Sequence, residues 1–171
     1  ITGVRRSGKS KLLEMFKNYI IENINDYNII DINFNLVKFD NLRDYVSLNS
    51  YIEKNYIEGK NNFVLIDEVQ MCKEFERTIN SLHAEEKYDI YITGSNAFLL
   101  SSDLATLFTG RTYEIQVYPF SFKEFMKYFN YESAQDAFEK YVLEGGMAGS
   151  YIYNDVNKKY NYINEVYNAL I

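Results

Sequence analysis

The sequence predicts a three-layer α/β fold in which helices cover a parallel β-sheet. Apolar residues alternate along the chain between helical spacing and short strand-like runs, which is typical of β-α-β units. The stretch "GVRRSGKS" (3–10) is a glycine-rich loop directly before an amphipathic helix. The run "NFVLIDE" (62–68) is apolar until its two closing acids, which suits a strand buried on both faces.

The elements alternate in order along the first 118 residues. The predicted helices carry apolar residues at helical spacing within 12–24, 42–59, 75–82 and 99–107. The predicted strands cover 28–34, 62–68, 88–95 and 112–118. Because a phosphate loop of this kind follows a central strand, we expect most of that first strand to lie outside this sequence.

The pattern changes at Pro119, after which only helices are predicted. Ser121 and Glu124 form a capping-box pattern, and Ser133 begins a second helix that ends at Gly145-Gly146. The segment 156–170 has one apolar face. We therefore expect a core over 1–118 and a helical extension over 119–171, the start of a further C-terminal region.

Composition excludes several classes of protein. The net charge is −6 without a basic cluster, which argues against a dedicated nucleic-acid platform. The single Cys72 rules out an internal disulfide, and no apolar run approaches the roughly 18 residues of a membrane span. We expect a cytoplasmic protein.

The loop fits the Walker A pattern G-x-x-x-x-G-K-[ST] at every position. Its glycines let backbone amides converge on phosphate oxygens, and the following helix adds its positive end. Lys9 would reach the β- and γ-phosphates, and the Ser10 hydroxyl would bind Mg²⁺. The candidate nucleotide-binding residues are Gly3, Val4, Arg5, Arg6, Ser7, Gly8, Lys9, Ser10 and Lys11.

Two arginines inside this loop leave two interpretations open. Arg5 and Arg6 stand where side chains point away from the backbone cradle. They are either solvent-facing charges near the phosphates, or one of them contacts the nucleotide or a neighbouring acidic surface.

Asp67 and Glu68 fit a Walker B strand end. A carboxylate at this place can hold Mg²⁺, and Asp67 is the candidate. Glu68, one residue further on, is the candidate general base for the attacking water. The alternative for both is a pair of solvated acids at the end of a strand.

A polar tip, Thr93-Gly94-Ser95-Asn96, follows the next apolar strand. Ser95 or Asn96 could sense the γ-phosphate or position the water that attacks it. The alternative is a turn that caps the next helix.

Arg111 follows Thr109-Gly110 between a predicted helix and a strand. It could act as an arginine finger, within the chain or across a subunit interface. The alternative is a surface arginine after the end of a helix.

The nucleotide class is narrowed by a missing motif. Guanine specificity normally requires N-K-x-D, and Asn157-Lys158-Lys159-Tyr160 lacks the acid. The Asp-Glu pair and the polar strand tip favour hydrolysis of ATP by an activated water.

Four stretches together resemble one family: "ITGVRRSGKSKLL", "FVLIDEVQ", "YDIYITGSNAFLLSSDLATLFTGR" and "YPFSFKEF". The chain is similar to AAA-superfamily ATPases of bacteria and archaea in which the ATPase module precedes a C-terminal domain of poorly known function. The resemblance runs from residue 1 to about Phe125, and more loosely through "GGMAGS".

This resemblance implies a P-loop NTPase sheet with strand order 5-1-4-3-2. It also implies that the loop binds ATP phosphates, that Asp67 and Glu68 serve metal and water, and that Ser95 and Asn96 are sensors. Arg111 would be the arginine after the sensor helix. The partners implied are ATP with Mg²⁺ and the chain's own C-terminal domain, and the resemblance is compatible with further copies of the chain in a homo-oligomer.

Three functions remain open at this point. The leading one is an ATPase module that moves an attached C-terminal domain. The second is a nucleotide-dependent interaction switch with little hydrolysis. The third is a DNA-associated, nuclease-linked ATPase, which the acidic charge balance does not favour.

Overall fold

The computed structural model describes residues 1–94 and 110–168. The chain divides into two compact units. The first comprises Ile1–Thr2 with Lys9–Ile115, and the second comprises Gly3–Gly8 with Gln116–Ile171. The sequence-based division into 1–118 and 119–171 stays a prediction.

A parallel three-stranded sheet forms the centre of the first unit. Its strands are β2 (Tyr27–Asn33), β3 (Asn61–Asp67) and β4 (Tyr88–Ile92), in the order β2-β3-β4. From Asn62 to Asp67 every residue of β3 is buried, as expected for the middle strand of a covered parallel sheet. The register pairs Asn33 with Asp67, so the carboxyl ends of β2 and β3 lie side by side.

The start of the chain lies beside β4. The Ile1 nitrogen donates to the Ile92 carbonyl at 2.7 Å, and the Gly94 amide donates to the Ile1 carbonyl at 3.4 Å. The short strand β1 (Thr2–Gly3) pairs with β5 (Gln116–Val117). These neighbours agree with the predicted order 5-1-4-3-2, and the fold is that of a P-loop NTPase.

The helices of the first unit lie on both faces of the sheet. They are α1 (Lys9–Asn23), α2 (Tyr45–Lys54) and α3 (Phe75–Glu85). Phe16 of α1 contacts Phe63 and Tyr91, with ring centroids 6.5 and 4.5 Å apart. On the opposite face the alternate residues Val64 and Ile66 pack with α2 and α3. The three layers predicted from the sequence are therefore present.

Side-chain caps define several of these boundaries. The Asp44 carboxylate accepts from the amides of Val46 and Ser47 at 3.1 and 3.0 Å, which begins α2. The Thr78 hydroxyl of α3 donates to the Tyr45 carbonyl at 2.8 Å, which joins the two helices.

The second unit contains the helices α4 (Phe122–Phe129), α5 (Ala134–Glu144) and α6 (Val156–Asn168). The predicted capping box is present, with the Ser121 amide donating to the Glu124 carboxylate at 2.8 Å. Helix α5 begins after Ser133 and ends at Glu144, directly before the predicted stop at Gly145. Phe125 is fully buried among aromatic rings and forms the centre of this unit.

Two predicted boundaries are wrong. Helix α2 ends at Lys54 and not near Gly59, because the Asn62 side chain holds the following loop through Ile57 and Lys60 at 2.8 to 3.0 Å. The strand predicted over 112–118 is reduced to β5 because most of its side chains are exposed, so neither face is buried. The helix predicted within 99–107 lies outside the described residues.

Within residues 1–94 and 110–168, the structure has no helix that combines the length and apolar character needed to cross a membrane.

Candidate functional site

The glycine-rich loop has an irregular, strongly turned backbone. Gly3, Arg6 and Gly8 have φ values of 149°, 64° and 109°, and the Ser7 amide donates to the Val4 carbonyl at 3.1 Å. A side chain at Gly3 would place Cβ 2.2 Å from the Val117 carbonyl oxygen, so only glycine fits there. Such alternation of backbone handedness produces concave arrays of amides that bind anions.

Lys9 is the first residue of α1 and is buried, with 5% of its surface exposed. Burial lowers the pKa of its ammonium group, while the Glu68 and Asp67 carboxylates act in the opposite direction. A buried cation that directly follows a glycine-rich loop in the sequence and is influenced by two carboxylates is suited to a polyanionic ligand, whose charge would offset the cost of burial.

The Asp67 carboxylate is the centre of a polar network at the end of β3. It is buried, and its Oδ1 accepts from the Ser10 hydroxyl at 2.9 Å and from the Thr93 hydroxyl at 2.5 Å. Its Oδ2 accepts from the Asn33 side-chain amide at 3.1 Å. The network therefore joins the beginning of α1 to the carboxyl-terminal ends of three adjacent parallel strands.

Glu68 follows directly and has a left-handed backbone, with φ 59° and ψ 50°. This conformation costs a non-glycine residue about 1 kcal/mol and turns the chain out of β3. The Glu68 amide donates to the Thr93 hydroxyl at 3.1 Å, and the Gln70 side-chain amide donates to the Glu68 carboxylate. Unfavourable backbone conformations that are held by neighbours occur often at functional sites.

Thr93 is a site residue whose role the sequence did not reveal. It is fully buried, and its hydroxyl donates to Asp67 while accepting from the Glu68 amide. Its backbone is also fixed, since the Thr93 amide donates to the Ile66 carbonyl at 2.8 Å. One hydroxyl thus contacts both acidic residues at the end of β3, Asp67 through its carboxylate and Glu68 through its backbone amide. Its place in the "TGSN" strand tip was the available signal.

Asn33 and Gln70 are two further residues of this site that were not predicted from the sequence. Asn33 ends β2, and Gln70 lies in the short turn Val69–Met71 after Glu68. A polar residue at a strand end was the only local signal for Asn33, and its contact with Asp67 depends on the pairing register of β2 and β3.

The structure brings together four of the residues predicted from the sequence: Lys9, Ser10, Asp67 and Glu68. Lys11 is exposed and pairs with Glu14 at 3.0 Å, and Ser95 and Asn96 lie outside the described residues. Arg111 is exposed, and its Nη1 lies 3.5 Å from the Asn80 side-chain oxygen on α3.

Of the two loop arginines, Arg6 has a clear contact. Its guanidinium carbon lies 4.8 Å from the centroid of the Tyr162 ring of α6. Arg5 is exposed, and its role stays a prediction.

The residues present fit a magnesium-bound nucleoside triphosphate. Among the described residues, no group of three or more His, Cys, Asp or Glu side chains is arranged so that it could hold a metal ion. Mg²⁺ does not require one, because it commonly binds through one or two protein ligands together with substrate phosphates and water. The Ser10 hydroxyl and the Asp67 carboxylate would supply oxygen ligands. The Ser7 hydroxyl is buried without a hydrogen-bond partner in the described part of the chain, so the loop also offers an unused polar group.

Replacing Thr93 with valine is expected to lower the free energy of unfolding by about 1–3 kcal/mol, because the half-buried Glu68 amide and the buried Asp67 carboxylate each lose a partner. Thr78→Val is the matched control, since it removes a buried hydroxyl whose hydrogen bond, among the described residues, is to the Tyr45 carbonyl alone. Urea denaturation of both variants measures the difference. A Thr93→Val variant no less stable than Thr78→Val would contradict this role for the hydroxyl.

Two proteins are similar in sequence to most of this chain. An uncharacterized protein of Haemophilus influenzae is 38% identical over 146 residues, covering 84% of this chain and 36% of that protein. The uncharacterized protein MJ1544 of Methanocaldococcus jannaschii is 32% identical over 151 residues, covering 84% and 32%. The chain therefore spans about a third of the length of these relatives.

A solved structure has a similar fold. The crystal structure of Cdc6p from Pyrobaculum aerophilum aligns with a TM-score of 0.52 and 14% identity, over 75% of this chain and 41% of that one. At this level of identity the similarity concerns the fold.

A match to a family model shows the family to which this chain belongs. A family model described as an AAA domain matches residues 1–126, which is well over half of the 171 residues. The match includes the loop, the Asp67-centred network and the strands that position them. The chain is therefore an AAA-superfamily P-loop ATPase module and belongs to the AAA domain family.

Proposed function

We propose that this chain binds ATP with Mg²⁺ and hydrolyses it. The observation that carries the proposal is the hydrogen bond between the Ser10 hydroxyl and Asp67 Oδ1, 2.9 Å long, beside the buried Lys9 ammonium. A phosphate-loop hydroxyl, a strand-end carboxylate and a buried cation are the groups that a magnesium nucleotide requires.

Each residue has a separate task in this proposal. The amides of the loop and the Lys9 ammonium bind the phosphates and neutralise their charge. The Ser10 hydroxyl and the Asp67 carboxylate would hold the metal, which when bound would supply charge stabilisation for the transferred phosphoryl group. Asn33 and Thr93 keep the Asp67 carboxylate in place.

Glu68 is proposed as the general base. Its carboxylate would accept a hydrogen bond from the attacking water and orient it. The Thr93 hydroxyl fixes the Glu68 backbone, and the Gln70 amide restrains its carboxylate. Both contacts reduce the freedom of the side chain that must meet the water, which favours a productive geometry.

Arg111 is proposed as an arginine finger. Its side chain is exposed, and its hydrogen bond with Asn80 is at the long limit of such contacts. Such an arginine can be recruited to a nucleotide of its own subunit or of a neighbouring one. The sensor role of Ser95 and Asn96 is proposed on the same family basis.

We also propose that hydrolysis moves an attached domain. The relatives are about three times as long as the matched region, so in those proteins the module is joined to further chain. A nucleotide-dependent change in the module could then alter the position of that part.

Release of inorganic phosphate from ATP by the intact protein tests this function. We expect steady turnover that depends on Mg²⁺ and stops when EDTA removes it. Tight ATP binding without turnover would favour the nucleotide-dependent interaction switch. Absence of ATP binding would overturn the proposal.

A further inference from the structure

Arg6 and Tyr162 are 156 positions apart in the chain but in contact within the second unit. The guanidinium lies over the face of the aromatic ring, the arrangement in which a cation is attracted to the π system. Arg6 belongs to the phosphate loop, and Tyr162 belongs to α6 of the helical extension.

The position of Tyr162 is fixed by its surroundings. A Cβ atom at Gly149 would lie 2.1 Å from the Tyr162 hydroxyl oxygen, so the tyrosine occupies the space that a side chain at Gly149 would need. The Tyr153 ring lies 5.9 Å away, centroid to centroid. The "GGMAGS" segment therefore provides a glycine against which the end of Tyr162 packs.

Helix α6 is itself anchored one turn before Tyr162. The Lys159 ammonium lies 2.7 Å from the Glu144 carboxylate of α5, and both side chains are about nine-tenths buried. Residues three apart lie on neighbouring parts of one helix face. The tyrosine thus projects from a helix that a buried ion pair attaches to the rest of the extension.

A contact with the Arg6 side chain can affect the backbone conformation of the loop. It is the non-glycine residue of the loop with a left-handed backbone, and it stands two positions before Gly8. The direction of the next amides depends on the backbone angles of Arg6, and a left-handed conformation is unfavourable for a residue with a side chain. A contact that restrains the side chain opposes relaxation of this turn.

We propose that Tyr162 is a positioning residue for the phosphate loop, acting through Arg6. The inference rests on the proposed function, since the loop must bind the phosphates of a nucleotide. In this arrangement the helical extension holds the loop near its binding conformation before nucleotide arrives. ATP binding then loses less free energy to ordering of the loop. Tyr162 does not touch the reacting atoms.

Nucleotide affinity is the first readout. Tyr162→Leu in the intact protein is expected to raise the ATP dissociation constant about fivefold. This factor corresponds to the free energy of a partly exposed cation–π contact. Turnover at saturating ATP is expected to stay near the wild-type value, so KM changes and kcat does not. Tyr162→Phe keeps the ring face and is expected to bind ATP like the wild type.

Arg6→Ala provides the second half of a double-mutant cycle. Because Arg6 is exposed, this variant is not expected to disturb folding. If the two residues act together, the double variant should bind ATP no more weakly than the weaker single variant. Additive losses, or a Tyr162→Leu variant with wild-type affinity, would overturn the proposal.

Tryptic cleavage after Arg5 and Arg6 without nucleotide gives a readout that does not depend on ATP binding. Tyr162→Leu is expected to speed this cleavage several-fold, and Tyr162→Phe is not. If the wild type bound no ATP but cleavage still followed this order, the proposed function would fail while the restraint on the loop stood. Equal cleavage rates in all three proteins would overturn the restraint itself.

Discussion

Replacing Glu68 with glutamine is expected to leave ATP binding intact and to slow hydrolysis by about 10²- to 10⁴-fold. Glutamine has nearly the same shape and can still accept a hydrogen bond, but it cannot take a proton from the attacking water. The backbone contact with Thr93 is unaffected because it uses the Glu68 amide. The variant should therefore hold ATP without consuming it.

Phosphate release and equilibrium ATP binding, measured on the same preparation, separate the two effects. Glu58→Gln is the matched control, since Glu58 is an exposed acid in the loop after α2, and it should hydrolyse ATP at the wild-type rate. Wild-type turnover by Glu68→Gln would show that Glu68 is not the general base.

Replacing Lys9 with alanine is expected to weaken ATP binding by about 100-fold or more. Hydrogen bonds to charged groups contribute about 1.5–3 kcal/mol each, and a buried ammonium is more effective than one in water because the local dielectric is lower. Folding should persist, because burial already lowers the pKa of Lys9 and so disfavours its charged form in the folded protein.

Isothermal titration with Mg-ATP measures the loss, and thermal unfolding without nucleotide checks the fold. Lys60→Ala, which removes an exposed lysine side chain, serves as the control and should bind ATP like the wild type. Unchanged affinity in Lys9→Ala would place the phosphates elsewhere.

Much of the fold follows from local pattern. The apolar run before Asp67 is typical of a covered strand, and the helix after the loop repeats its apolar residues at helical spacing. Caps such as Ser121 with Glu124 are set by neighbouring residues, so their positions were also predictable. The end of α2 was not, because it depends on the Asn62 side chain, several residues beyond the helix.

The candidate site likewise contains residues that could be predicted from the sequence and residues that could not. Lys9, Ser10, Asp67 and Glu68 are carried by short motifs with fixed spacing, and the structure brings them together. The role of Thr93 depends on how the end of β4 aligns with β3, which no local pattern encodes.

The contact between Arg6 and Tyr162 was even less predictable from the sequence. It joins the first loop to the last helix, and each residue has an ordinary surface interpretation when its own segment is considered alone. The sequence marked Arg6 as unusual in its loop, and only the folded chain supplied a partner.

A crystal structure of the Glu68→Gln variant of the intact protein with ATP and Mg²⁺ would test the central claim most directly. We expect the phosphates to be bound by the amides of residues 3–10 and by the Lys9 ammonium, and the metal to be held by the Ser10 hydroxyl and the Asp67 carboxylate, directly or through water. Nucleotide bound away from the loop, or a metal held without Ser10 and Asp67, would contradict it.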